Sequence, residues 1–171
     1  LLQEGELLLR RGATIRPIDL CLLATGGITL VPVWRQPYVL YLPTGNELVP
    51  PGRLPQRGEN IESNGIMIEY LLRHWGARCS RHAILPDQPA ALAKALDEAI
   101  EKADIILLNG GSSKGSEDYS VRLLAERSSF LQHGVRCIPG IPVAAALISG
   151  KPVINLPGPP FAAFSAMDWC V

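Results

Sequence analysis

From Tyr38 onward, short continuous apolar runs alternate with longer segments whose apolar positions recur every three or four residues. YVLYL (38–42), the stretch 79–85 and DIILLN (104–109) read as strands, and unbroken apolar runs suit strands covered on both faces. The first of these is followed by TGNELVPPGRLPQRG, dense in turn residues and expected to form a long surface loop. Ser63 or Asn64 can cap a helix carrying Ile66, Met67, Tyr70, Leu71 and His74 and ending at Trp75-Gly76. Asp87-Gln88-Pro89 opens an Ala-rich helix with Leu92, Leu96 and Ile100 on one face. A short helix is expected over 121–126, then a less regular stretch through His133. VAAALI and PVINL, split by Ser149-Gly150-Lys151, read as a hairpin, and a last helix follows Pro157-Gly158-Pro159-Pro160. Alternation of this kind predicts a layered α/β domain with a largely parallel sheet.

Residues 1–36 differ: GELLLRR reads as a strand, followed by a Gly turn and a short helix beginning near Pro17. Such a segment cannot build a core alone, so it is expected to be the end of a preceding β-rich region, with the α/β domain over 37–171. With no initial Met and a final helix still apolar at its last residue, the chain reads as an excerpt of a longer protein.

Composition narrows the partners. Of 171 residues, 47% are apolar and 19% charged, which supports a packed core and argues against disorder. Sixteen basic residues balance sixteen acidic ones, removing the broad positive field of nonspecific nucleic-acid binding. No apolar run approaches the roughly 20 residues that cross a bilayer, and the first residues lack the basic-then-apolar layout of a signal peptide, so neither nucleic acid nor membrane is expected as a partner. Cys21, Cys79, Cys137 and Cys170 are scattered without metal-ligand spacing, which points to reduced thiols and a cytoplasmic location.

In a parallel sheet, ligands bind beyond the carboxyl ends of the strands. Those ends carry Thr44, Gly45 and Glu47, then Asp87, then GGSSKGSEDY (110–119), then PGPP (157–160). Gly110, Gly111 and Gly115 would let backbone amides approach a ligand, and Ser112, Ser113 and Ser116 add hydroxyls, a pattern suited to a phosphate or oxyanion. The same loop could be a plain flexible turn. Asp87 and Asp118 each precede a helix and could act as N-caps. Glu47, in a Gly/Pro loop beside Thr44, could hold Mg²⁺ together with waters and substrate oxygens, or be a solvated loop acid. His74, His82 and His133 lack partners at useful spacing and read as structural or surface residues.

In series, TGNEL, ESN, PDQPAAL, GGSSKGSEDY and LPGPP resemble the motifs of the molybdopterin molybdenumtransferases, the molybdenum-insertion family related to the gephyrin E domain. The resemblance implies a three-layer α/β/α molybdopterin-binding fold, adenylylated molybdopterin and molybdate as substrates, and a homodimer. It implies catalytic roles for Glu47, Asp87 and Asp118, with Mg²⁺ at Glu47 and Asp87. Thr44, Gly45, Gly110, Gly111, Ser112, Ser113, Lys114, Gly115, Pro157 and Gly158 would hold the pterin substrate.

The chain departs from the family pattern at several positions. Where the family has KPGKP, this chain has Ile138-Pro139-Gly140-Ile141-Pro142; the Asn of LPGNP is Pro159 and the Asp of TGDEL is Asn46. One charge-assisted contact to a buried anion is worth about 1.5–3 kcal/mol, so two missing lysines would weaken oxyanion binding by about a hundredfold or more. Lys114 and Arg136 are expected to restore part of that potential. Two other functions fit the same motifs. One is a binding module that holds the pterin nucleotide without inserting metal; the other is a competence/damage-inducible-type domain acting on pyridine nucleotides.

Overall fold

Sequence and fold first meet in the apolar run that starts the larger unit. The computed structural model describes residues 2–110, 119–136, 138–139 and 142–171. The chain separates into two compact units, Leu1–Arg35 and Gln36–Val171.

In the first unit, helix α1 (Pro17–Thr25) starts at a proline, as expected. Its first turn is closed by Asp19, whose carboxylate accepts from the Arg16 amide at 2.8 Å and pairs with the Arg16 guanidinium at 3.0 Å. These hydrogen bonds from Arg16 hold the Asp19 carboxyl below its ordinary range. The strand expected over GELLLRR does not form among the described residues. No neighbouring strand in this unit offers its backbone a ladder, and turns take its place.

The second unit is built on a six-stranded sheet. Strands β1 (Tyr38–Pro43), β2 (Leu48–Val49), β3 (Asn60–Ile61), β4 (Arg78–Arg81), β5 (Ile105–Asn109), β6 (Phe130–His133), β7 (Ala144–Ile148) and β8 (Lys151–Leu156) alternate with helices α2 (Asn64–His74), α3 (Pro89–Lys102), α4 (Tyr119–Arg127) and α5 (Pro160–Cys170). The main sheet has the order β4-β1-β5-β8-β7-β6, while β2 and β3 pair with each other. Parallel pairing joins β4 to β1, β1 to β5 and β5 to β8; β7 and β6 add on antiparallel. The carboxyl ends of β4, β1, β5 and β8 therefore share one edge. Ser149 and Gly150, both at positive φ, make the tight turn of the β7–β8 hairpin.

Alternation along the central strands divides the core into two layers. Leu42, Ile106, Leu108 and Val153 pack with Leu92 and Leu96 of α3 and Leu124 of α4. Val39, Tyr41, Leu107, Ile154 and Leu156 pack with Ile68 and Leu72 of α2 and Met167 of α5. The result is the expected three-layer α/β/α arrangement with a mostly parallel sheet.

Four local expectations need correction. The long loop after β1 contains the small β2–β3 ladder. The stretch before His133 is the edge strand β6, which among the described residues pairs only with β7 and therefore leaves a weak burial pattern. β4 ends at Arg81, short of Leu85, whose one ladder contact is an isolated bridge to Thr44. The buried side of α2 runs through Gly65, Ile68 and Leu72, while Ile66 and Tyr70 are exposed. Gly65 is what lets the helix sit against Tyr41, since a Cβ there would lie 2.9 Å from the tyrosine ring.

Candidate functional site

The loops at the shared strand edge are pinned by backbone bonds before any side chain is considered. The Thr44 amide donates to the Asn109 carbonyl at 2.9 Å, and the Gly45 amide donates to the Leu85 carbonyl at 3.1 Å. The ladder of β2 with β3 then brings the segment after Glu47 alongside the segment leading to Glu62. Together these loops surround a cavity of about 620 Å³, whose wall includes Thr44, Glu47, Asn60, Glu62, Ser63, Asn64, Asn109, Gly110 and Gly158.

Asn109 is the hub of this wall. It ends an otherwise apolar strand and is buried. Its Nδ2 donates to the carbonyls of Leu156 (3.3 Å) and Pro157 (2.6 Å), which fixes the amide's orientation. Its Oδ1 accordingly accepts from Asn64 Nδ2 and lies 2.8 Å from the Tyr41 hydroxyl. Asn64 Nδ2 also donates to the Gly158 carbonyl at 2.7 Å. One amide thus ties the ends of β1, β5 and β8 to the start of α2.

Glu62 supplies the acidic side of the same network. Its Oε1 accepts from the Gly65 amide at 2.8 Å and faces the Tyr41 hydroxyl at 2.9 Å. Burial and the adjacent Glu62 carboxylate push the Tyr41 hydroxyl well above its ordinary pKa, so it keeps its proton. That single proton serves two acceptors, Glu62 Oε1 and Asn109 Oδ1. Glu62 also corrects the expected helix cap, because neither Ser63 nor Asn64 caps α2 with its side chain and Glu62 meets the first-turn amide instead.

Asp87 likewise does not cap a helix. The N-cap of α3 is Gln88, and Asp87 turns back to the strand edge. Its Oδ1 accepts from the Thr44 hydroxyl and its Oδ2 from the Asn46 amide, both at 3.1 Å, while its own amide donates to Asn46 Oδ1 at 3.1 Å. Asn46 thus forms a reciprocal clasp with Asp87. Asp87→Ala is expected to cost about 1–2 kcal/mol through the two lost bonds, with the midpoint of urea unfolding as the check.

The structure gathers Thr44, Glu47, Gly110 and Gly158 in the cavity wall. Gly45 and Asp87 adjoin Thr44 without forming that wall, and the Pro157 carbonyl anchors Asn109. Gly111, Ser112, Ser113, Lys114, Gly115 and Asp118 lie outside the described residues, as does Ile141. Ile138 is 84% exposed. Sequence reasoning missed Tyr41, Glu62, Asn64 and Asn109 as site residues. The available signals were a polar residue ending the run IILLN and the cluster ESN at a helix start.

Comparison with known proteins now decides the family. Residues 41–171 match the family of the probable molybdopterin binding domain. The chain belongs to this family. It is 32% identical over 161 residues to the molybdopterin molybdenumtransferase of Haemophilus influenzae, covering 94% of this chain and 40% of that protein. It is 33% identical over 172 residues to molybdopterin molybdenumtransferase 2 of Mycobacterium tuberculosis, covering 96% of this chain and 42% of that protein. Among solved structures, the molybdopterin biosynthesis moeA protein from Pyrococcus horikoshii superposes with a TM-score of 0.84 at 28% identity, covering 96% of this chain and 41% of that one. The chain spans about two fifths of the length of the curated relatives it matches. The family resemblance read from TGNEL through LPGPP is borne out, and so is the molybdopterin-binding α/β fold. No helix among the described residues is long and apolar enough to cross a membrane.

Proposed function

We propose that this molybdopterin-binding domain holds molybdopterin, in adenylylated form, in the cavity at the strand edge and takes part in inserting molybdate into it. The observation that carries the reading is the convergence, in one wall, of Thr44, Glu47, Gly110 and Gly158 from three successive strand ends. The expectation of a homodimer follows from the same family resemblance, and that of a cytoplasmic location from the scattered cysteines.

Mg²⁺ belongs to this reading as well, held by Glu47 and Asp87. No cluster of three His, Cys, Asp or Glu side chains forms a metal site among the described residues. A set of two carboxylates still fits the ion, because Mg²⁺ is usually held by one or two carboxylates with water and phosphate oxygens completing the shell. Gly45 makes room for the Glu47 carboxylate: a Cβ there would lie 2.8 Å from Glu47 Oε2. Bound there, Mg²⁺ would offset phosphate charge as the adenylate is hydrolysed. Glu47 and Asp87 would each contribute a carboxylate oxygen to the ion, and the hydrogen bonds from Thr44 and Asn46 would orient the Asp87 carboxylate.

The test is molybdate-dependent release of AMP and formation of active cofactor by the full-length protein. Release and insertion are expected, and Glu47→Gln should slow both by about a hundredfold. Tight binding of the adenylylated pterin without molybdate-dependent turnover would mark the domain as a binding module. Absence of both would overturn the reading.

A further inference from the structure

Among the described residues, the cavity wall contains two side-chain acceptor atoms to which no donor is hydrogen-bonded. Asn64 is 6% exposed, and its Oδ1 is buried with no hydrogen-bond partner among the described residues. The atom cannot exchange places with Nδ2. Nδ2 is held by Asn109 Oδ1 and the Gly158 carbonyl, and Asn109 is itself held by two backbone carbonyls. Glu62 is also 6% exposed. Its Oε1 is taken by the Gly65 amide and the Tyr41 hydroxyl, while Oε2 has no hydrogen-bond partner among the described residues. Among the described residues no cation is hydrogen-bonded to it, and Arg81 Nε instead pairs with Glu69 at 2.9 Å.

A buried acceptor left empty is costly, so Asn64 Oδ1 favours a ligand that brings a polarised N–H, and the Glu62 carboxylate in the same wall offers Oε2 as a second acceptor for such a ligand. Building on the pterin reading of this cavity, we infer that Glu62 Oε2 and Asn64 Oδ1 recognise the aminopyrimidinone edge of the pterin ring. That edge offers an exocyclic amino group next to a ring N–H, two donors in one plane. Adenine offers an amino group flanked by ring nitrogens that are acceptors, and these would face the carboxylate and the amide oxygen with lone pairs. The pocket beside α2 therefore selects the pterin and directs the adenylyl portion elsewhere along the strand edge.

The test uses the full-length protein with two stable probes, 6-hydroxymethylpterin and the matching 2,4-dioxopteridine, in which a carbonyl replaces the amino group. The wild type is expected to bind the pterin about tenfold more tightly than the dioxo compound. In Glu62→Gln the amide oxygen stays with Tyr41 and Gly65, which both need an acceptor, and the amide nitrogen replaces Oε2. A donor then faces the ligand, so the preference should fall to parity or reverse. Equal binding of the two probes by the wild type would overturn the inference while leaving the pterin reading intact. A preference unchanged in a folded Glu62→Gln would also overturn it. Binding of neither probe by the wild type would overturn both. The wild-type comparison stands without the variant, so a Glu62→Gln that fails to fold does not remove the test.

Discussion

Asn109→Leu is expected to destabilise the domain by about 3 kcal/mol, the sum of several modest penalties for buried groups left without partners. Leucine fills nearly the same space, so the loss comes from hydrogen bonds. The Leu156 and Pro157 carbonyls lose their donor, Asn64 loses one of two acceptors, and Tyr41 is left with Glu62 alone. For a chain of this size, a loss of about 3 kcal/mol lowers the thermal midpoint by roughly 6–12 °C. Asn155 provides the control. It is buried with neither amide atom partnered among the described residues. Asn155→Leu therefore breaks no side-chain hydrogen bond among the described residues and should leave the midpoint unchanged or higher. If the two variants lose stability equally, the hub role of Asn109 is wrong.

Gly110→Ala is expected to weaken binding of the pterin nucleotide about a hundredfold, more than loss of a single uncharged hydrogen bond would. Gly110 has φ +136°, a conformation side chains rarely adopt, and a Cβ there would lie 2.1 Å from the Thr44 carbonyl oxygen. That carbonyl belongs to backbone pinned to both neighbouring strand ends, so Gly110 itself must shift. A shift of about an ångström in a binding loop costs about a hundredfold in affinity or rate. Gly158 faces open space at its Cβ position and has no positive φ, so Gly158→Ala should fold normally. Calorimetric titration of both variants with adenylylated molybdopterin checks the contrast.

The layered fold was legible because its central strands are continuous apolar runs, and its helices keep a spacing of three and four even where the buried side was misjudged on α2. The hairpin turn Ser149-Gly150 was legible from its residue types. Strand β6 was not, because an edge strand paired on one side needs no strong apolar pattern. At the site, motifs located the strand ends and their glycines. The amide hub stayed hidden because Asn109, Asn64 and Glu62 are far apart in sequence and have meaning only once β1, β5, β8 and the start of α2 converge. Asp87 illustrates the opposite limit. An acid just before a helix reads as a cap, but the proline at the first helical position leaves Gln88 as the N-cap and frees Asp87 to hold Thr44 and Asn46.

The central claim is that the strand-edge cavity is where the pterin nucleotide binds. Equilibrium titration of the full-length protein with adenylylated molybdopterin, run in parallel on the wild type and Gly110→Ala, tests it most directly. Saturable one-site binding by the wild type, weakened about a hundredfold in a folded Gly110→Ala, is the predicted result. No binding by the wild type, or equal binding by both, would contradict it.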